Sequence, residues 1–300
     1  MNDAPAAQLL PATLIEAGWP PDTACEPVRR VLPFSGVWRL RQPGGGTAIY
    51  KEACEPLDRE HIALTYALSR HLPVPRVIAA IQRDGRLGMI MTDLGQPDRE
   101  ATDDDAAAIA ATLHRVPASG TLPALGPAEL AAMPARIAAR AREHGLPAAI
   151  PEMAVRLSGV TGQVAQPAVT PPVGLCHSEF HPTSIIINGG QWHAYDLARA
   201  FHGPGLLDLA SWHGTTAAPD PQATAALIEA YVRAGGHPAA LDRRAGLPSE
   251  EWALGWHRIW AADWYCEQLE LGWATRSDDL ALYAKVITRH LTEAAGLLHA

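Results

Sequence analysis

Two carboxylates held at the two ends of an apolar hairpin are the residues of this chain best suited to chemistry. The run reads His177-Ser-Glu-Phe-His-Pro-Thr-Ser-Ile-Ile-Ile-Asn188, then the turn Gly189-Gly190, then Ala194-Tyr-Asp-Leu197. Glu179 stands before the hairpin and Asp196 after it. A phosphoryl-transfer site needs such a pair: one carboxylate takes the proton of a substrate hydroxyl from a distance of about 2.6 to 3.2 Å, and another holds a divalent metal beside it.

The segment resembles the catalytic and metal-binding loops of the aminoglycoside phosphotransferase family, whose pattern runs roughly H-G-D-x-H-P-x-N, a hydrophobic strand and an aspartate. The resemblance implies a protein-kinase-like fold, ATP or GTP as phosphate donor, and Mg²⁺ as the metal. It assigns the base to Glu179, where the family has aspartate, and a loop-buttressing role to His177. It assigns the metal to Asp196 and to Ser184, which stands five residues after Glu179 where the family has asparagine. Glutamate is one methylene longer than aspartate and serine shorter than asparagine. A misplacement of about 1 Å at a reacting centre can cost about 100-fold, so these residues also admit a non-catalytic relative that binds a nucleotide or a small ligand. The later run Gly203-Pro-Gly-Leu-Leu-Asp208-Leu-Ala-Ser-Trp212 is similar to the family too. There Asp208 is expected to brace backbone amides near the catalytic loop.

Those residues need elements to hold them. Short runs at 28–34, 37–41, 47–53, 77–81 and 87–92 read as strands, because β-branched and aromatic residues are bounded by turn residues. Apolar residues between Leu57 and His71 recur at helical spacing. After Gly95-Gln96-Pro97 the chain turns helical and alanine-rich, with an acidic helix start at Asp103-Asp104-Asp105. The expected fold is α+β and bilobal, in the protein-kinase-like manner. Residues 1–95 form a β-rich nucleotide-binding lobe, and residues 96–300 form a mainly α-helical lobe with the catalytic hairpin and the substrate site.

Within the first lobe, Lys51 falls near the end of the third strand, on the face opposite Tyr50, where kinases keep a lysine for nucleotide phosphates. Glu60 lies on the following helix, whose run from Arg59 resembles the family's helix carrying the glutamate that pairs with that lysine; Glu52 and Glu55 are competing partners. Phe34-Ser35-Gly36-Val37, between the first two strands, is the expected phosphate loop: Gly36 would permit close backbone approach and Ser35 would donate a hydrogen bond. Gly44 to Gly46 lacks the following Lys-Ser/Thr and helix of a P-loop, and reads as a hairpin turn. Met89-Ile-Met-Thr-Asp-Leu94 resembles the strand that leads into the family's connector, so backbone groups from Met91 to Asp93 are expected to meet the adenine edge.

In the C-terminal lobe, Trp252, Trp256, Trp260 and Trp264 recur every four residues and read as core. Asp263, Glu267 and Glu270 lie on neighbouring turns of the same helix. Carboxylates there would hold ammonium groups of an aminoglycoside-like substrate, as the resemblance implies, and a solvated acidic face accounts for them as well.

Composition narrows the setting. Of 300 residues 48% are apolar, and no apolar run approaches the about 20 residues of a membrane span. The N-terminus lacks the basic start and apolar core of a secretory signal, which predicts a cytoplasmic protein. Four dispersed cysteines show no zinc spacing and read as reduced thiols. A formal net charge of −8 argues against a nucleic-acid partner and suits a small cationic one. The function expected from these residues is an ATP- and Mg²⁺-dependent transfer of phosphate to a small-molecule hydroxyl, with antibiotic resistance as its setting.

Overall fold

The computed structural model describes residues 7–31, 34–274 and 276–300, with Arg30 and Val31 described through their backbone alone. The N-terminal part forms α1 (Leu10–Glu16), β1 (Cys25–Val31), β2 (Ser35–Arg41), β3 (Thr47–Cys54), α2 (Glu60–Ser69), β4 (Val77–Arg83) and β5 (Arg86–Thr92). Next come α3 (Asp103–Leu113), α4 (Pro127–Glu143), α5 (Ala149–Val164), β6 (Val173–Cys176), β7 (Ile185–Asn188) and β8 (Gln191–Ala194). The chain finishes with β9 (Phe201–Pro204), α6 (Leu206–Ser211), α7 (Pro221–Arg233), α8 (Ser249–Glu270) and α9 (Ser277–Leu297).

Two compact units result. The first contains residues 1–101 and 182–200, and the second contains residues 102–181 and 201–300. The sequence reading put the hairpin with residues 96–300. The contacts group it with the first unit, because the Ala194 amide donates to the Pro73 carbonyl and the Asp98 amide to the Ile187 carbonyl.

The first unit is built on an antiparallel sheet in the order β1-β2-β3-β5-β4. Alternation sorts its side chains into two faces. Trp38, Leu40, Ala48, Tyr50 and Ile90 point to one face, where they bury Leu14 of α1. Lys51 and its cross-strand neighbours Val37 and Met89 belong to the other. The turn between β2 and β3 carries Gly44, Gly45 and Gly46, all at positive φ, a conformation glycine adopts at little cost. A second hairpin, β7–β8, turns through Gly189 and Gly190, also at positive φ.

Ser35 and Gly36 correct an expectation. Both belong to β2, paired on one side with β1 and on the other with β3, where Ser35 faces Ala53 and Gly36 faces Glu52. They are strand residues, not a loop. Gly36 has a packing reason to be glycine: a Cβ there would overlap the Trp38 ring, which folds across it.

The second unit is mainly helical. α3 starts with a reciprocal cap, in which the Thr102 hydroxyl accepts from the Asp105 amide while the Asp105 carboxylate accepts from the Thr102 amide. α8 packs against α9, α4, α6 and α7. Trp252 and Trp256 are fully buried on it, and the Trp252 indole donates to the Val164 carbonyl at 2.7 Å. The two-stranded β6–β9 ladder lies among these helices and leads directly into the catalytic-loop sequence.

Candidate active site

Each unit holds its own set of the candidate residues. In the first, Lys51 Nζ lies 2.5 Å from Glu60 Oε2 and 2.6 Å from Asp196 Oδ1. The Lys51 and Glu60 side chains are 8% and 1% exposed, and Asp196 is 42% exposed. Burial alone would lower the Lys51 pKa, but Glu60 and then Asp196 outweigh it and hold the ammonium charged well beyond its ordinary range. Burial pushes the Glu60 carboxyl up, against the pull of Lys51. Glu60 also accepts from the Leu197 amide at 3.1 Å, so α2 is tied both to β3 and to the residue after Asp196. Asp196 itself has φ of +64°, unusual for a non-glycine residue.

Glu52 and Glu55 are not the partners of Lys51. Glu52 points to the opposite face and accepts from the Gln8 and Leu9 amides at 3.2 and 3.0 Å, and from the Tyr50 hydroxyl at 2.6 Å. Ser184 is buried, and its carbonyl accepts from the Tyr195 amide at 3.1 Å, which joins the two strands of the hairpin beside Asp196. The oxygen donors of Asp196 and Ser184 are of the hard type that Mg²⁺ prefers.

The connector begins at the end of β5. Met91 is buried and pairs with Ile49 and Val77. The Asp93 carboxylate receives Arg39 Nε at 2.7 Å and the Gly95 amide at 3.0 Å. Burial would raise its pKa, yet the Gly95 amide and the Arg39 side chain outweigh it and hold it below the ordinary carboxylate value.

In the second unit the residues around Glu179 are anchored from α6. Asp208 accepts from the His177 amide at 2.8 Å and the Ser178 amide at 3.1 Å. The Ser211 hydroxyl donates to the Phe180 carbonyl at 2.7 Å. Ser178 has φ of +74°. Glu179 is exposed between the buried Ser178 and Phe180, and the Phe180 ring lies 5.1 Å from Trp212 and 6.2 Å from His177. The loop is therefore fixed on both sides of Glu179 by one six-residue helix.

His114 and Cys176 gather around Asp208 with metal-like proximity, all three buried. The Cys176 thiol donates to the Gly203 carbonyl at 3.4 Å and burial pushes its pKa well up. A protonated thiol beside a carboxylate already holding two amides is a packing cluster, not a cation site. His114 Nε2 stands 3.4 Å from Asp208 Oδ2.

On α8, Asp263 and Glu270 are engaged by arginines. Asp263 receives Arg136 at 2.6 Å and Arg140 at 2.9 Å, and Arg140 also reaches Glu270 at 2.8 Å. Both arginines come from α4, and nothing in the spacing of α8 announces them. Ser211 and His114 were equally silent in the sequence, since each acts through the backbone fold around Asp208 and not through a local motif.

The model of the "phosphotransferase enzyme family" matches residues 36–247. Solved structures with similar folds include an amicoumacin kinase in complex with AMP-PNP, Ca²⁺ and Ami, at 12% identity and a TM-score of 0.60, covering 89% of this chain and 88% of that one. A macrolide 2′-phosphotransferase from Brachybacterium faecium is 18% identical with a TM-score of 0.60, covering 93% and 98%. A choline/ethanolamine kinase family protein from Mesorhizobium loti is 17% identical with a TM-score of 0.60, covering 96% and 97%. No curated protein matches the chain. The fold is the α+β, bilobal, protein-kinase-like one, and by the family match over well more than half of its length the chain belongs to the aminoglycoside phosphotransferase family.

Proposed function

We propose that this protein is an ATP- and Mg²⁺-dependent phosphotransferase that phosphorylates a hydroxyl of a small molecule. The observation that carries the reading is Lys51 held between Glu60 and Asp196, at 2.5 and 2.6 Å. A buried ammonium fixed by a buried carboxylate is a preorganised donor for phosphate oxygens, and positioning with charge neutralisation is most of what phosphoryl transfer asks of a protein. The amicoumacin kinase relative, solved with AMP-PNP and Ca²⁺, supports a nucleoside triphosphate and a divalent cation here, and favours ATP over GTP.

In this reading Lys51 binds the donor phosphates and Glu60 keeps it aimed. Asp196, with Ser184, holds the metal, which supplies charge neutralisation on the phosphates when bound. Glu179, on its anchored loop, accepts the proton of the substrate hydroxyl, and His177 supports that loop from its buried position. Backbone groups of the connector from Met91 to Asp93 receive the base. Relatives named for amicoumacin, macrolides and choline or ethanolamine support a hydroxylated small molecule, and a cationic or amino-sugar-like antibiotic fits the acidic chain. Asp263 and Glu270 add little to that choice, because arginines already occupy them. A triphosphate-dependent enzyme fits the cytoplasm, with antibiotic resistance as its role.

A second reading, a nucleotide-binding relative without turnover, has a specific motive in Glu179 and Ser184 at the positions of the family's aspartate and asparagine. The two are separated by measuring the shift in melting temperature with Mg²⁺ and ATP, then transfer of labelled γ-phosphate to an acceptor panel of antibiotics, sugars and amino alcohols. An unmoved melting temperature removes both readings. Binding without transfer to any acceptor favours the second. Where transfer is seen, Glu179→Gln should lower it by about 100-fold or more, and an equal rate in that variant removes Glu179 as base.

A further inference from the structure

The connector after β5 is fastened to the tip of the β7–β8 hairpin, far along the chain from it. Asn188 Nδ2 donates to the Leu94 carbonyl at 3.1 Å. The Asp98 amide donates to the Ile187 carbonyl at 2.8 Å, the Asp98 carboxylate accepts from the Gly189 amide at 2.8 Å, and Arg99 bridges Ile187. On its other side the connector is tied to β2 through Asp93 and Arg39.

These bonds fix one peptide plane completely. The Leu94–Gly95 peptide gives its carbonyl oxygen to Asn188 and its amide to Asp93 Oδ1. A peptide held at both polar ends cannot flip without losing two hydrogen bonds. Gly95 sits at φ of +77°, and a Cβ there would come within 3.2 Å of Asn188 Nδ2, so the side chain and the turn are fitted closely. The preceding peptide, Asp93–Leu94, is joined to this plane only through the two backbone dihedrals of Leu94, so fixing the plane narrows the directions it can take. In extended backbone the N–H and C=O of one residue point to the same side, so a connector residue offers one donor and one acceptor, the pair that a nucleobase edge needs.

We infer that Asn188, backed by Asp98, is a positioning residue for nucleobase binding: it sets the direction of the connector's backbone groups from the tip of the hairpin. The inference rests on the nucleotide reading above, with the connector as the base-binding element. It gives the hairpin two tasks, since its far end carries Ser184 and Asp196. Asn188 also acquires a role that its place in the loop pattern does not suggest, nine residues beyond Glu179 at a turn.

The test compares a ligand that is all base with one that has none. Binding of adenosine, of AMP-PNP with Mg²⁺ and of tripolyphosphate with Mg²⁺ is measured by calorimetry on the wild type, Asn188→Asp, Asn188→Ser and Asp98→Ala. Asn188→Asp keeps the shape, removes the donor and sets a carboxylate against the Leu94 carbonyl. Its Kd for adenosine and AMP-PNP should rise about tenfold, as for loss of one hydrogen bond with added repulsion, while tripolyphosphate binds within twofold of wild type. Asn188→Ser, which restores a donor, should recover part of the loss. Asp98→Ala should repeat the pattern more weakly, and it serves as the readout if Asn188→Asp does not fold. Unchanged adenosine binding in the folded variants overturns the inference, as does an equal loss for tripolyphosphate, which marks a merely structural effect. A wild type that binds neither adenosine nor AMP-PNP overturns the nucleotide reading and this inference with it.

Discussion

Glu60 Oε2 lies 2.5 Å from Lys51 Nζ while its other oxygen receives the Leu197 amide, so one buried carboxylate joins α2, β3 and the residue after Asp196. Glu60→Gln is nearly the same shape and carries no charge. Removing a charged hydrogen bond of about 1.5–3 kcal/mol should lower kcat/KM by about 10- to 100-fold. The melting temperature should fall as well, because the buried Lys51 ammonium would keep Asp196 as its remaining carboxylate partner. Steady-state kinetics and calorimetry on one preparation check both halves.

Asp208 is expected to matter more for stability than for the chemical step. Asp208→Ala would leave the His177 and Ser178 amides buried without an acceptor. The expected loss is about 2–4 kcal/mol, read as a lower denaturation midpoint at unchanged slope. Asp208→Asn keeps one acceptor oxygen and should lose roughly half as much.

Gly36→Ala should be costly although Gly36 lies in an ordinary extended strand. Its Cβ would overlap the Trp38 ring, and displacing a packed indole is expected to cost about 1–3 kcal/mol. In the double variant Gly36→Ala with Trp38→Leu the two losses should sum to more than the measured total, since the clash is gone. Additive losses would show that the ring is not what excludes the methyl group.

Acid should unfold this protein through its buried imidazoles. His257 is held neutral down to about 3 by burial, by Arg258 and against the opposing pull of Asp208. His290 is likewise lowered to about 3 by burial, Arg258 and Arg289. Unfolded, each takes a proton near 6.5. With folded values below unfolded ones, their stabilising contribution is intact above pH 6.5 and is lost as pH falls toward 3. Each contributes a slope of about 1.4 kcal/mol per pH unit across that window. Urea titrations at pH 4, 5 and 6 should show it, and His290→Gln should remove about one proton's worth of slope.

Much of this was legible from the chain itself, and the exceptions have physical reasons. Lys51 and Glu60 could be paired in advance because the helix from Arg59 resembles the family's glutamate-bearing helix, while strand alternation, a local rule, separated Lys51 from Tyr50. Trp252 and Trp256 could be read as core by a local rule too. Ser35-Gly36 was misread as a loop because a Ser-Gly pair is the same in a turn and in a strand, and only the bulk of Trp38 distinguishes them. α1 went unseen because seven residues are too few to display a helical period. The arginines on Asp263 come from another helix more than 100 residues away, a separation that no spacing rule spans.

Helix α1 has a bearing on where this protein can be cut. A helix of seven residues does not persist in water by itself; it is kept by Glu52, whose carboxylate accepts the Gln8 and Leu9 amides just before it, and by Leu14 beneath Trp38 and Tyr50. The family match starts at residue 36. A fragment trimmed to that boundary would strip β1 from the sheet edge, bare two aromatic rings and abandon a buried carboxylate. The smallest piece able to fold is therefore larger than the piece recognisable by kinship, and expression trials should begin upstream of Gln8.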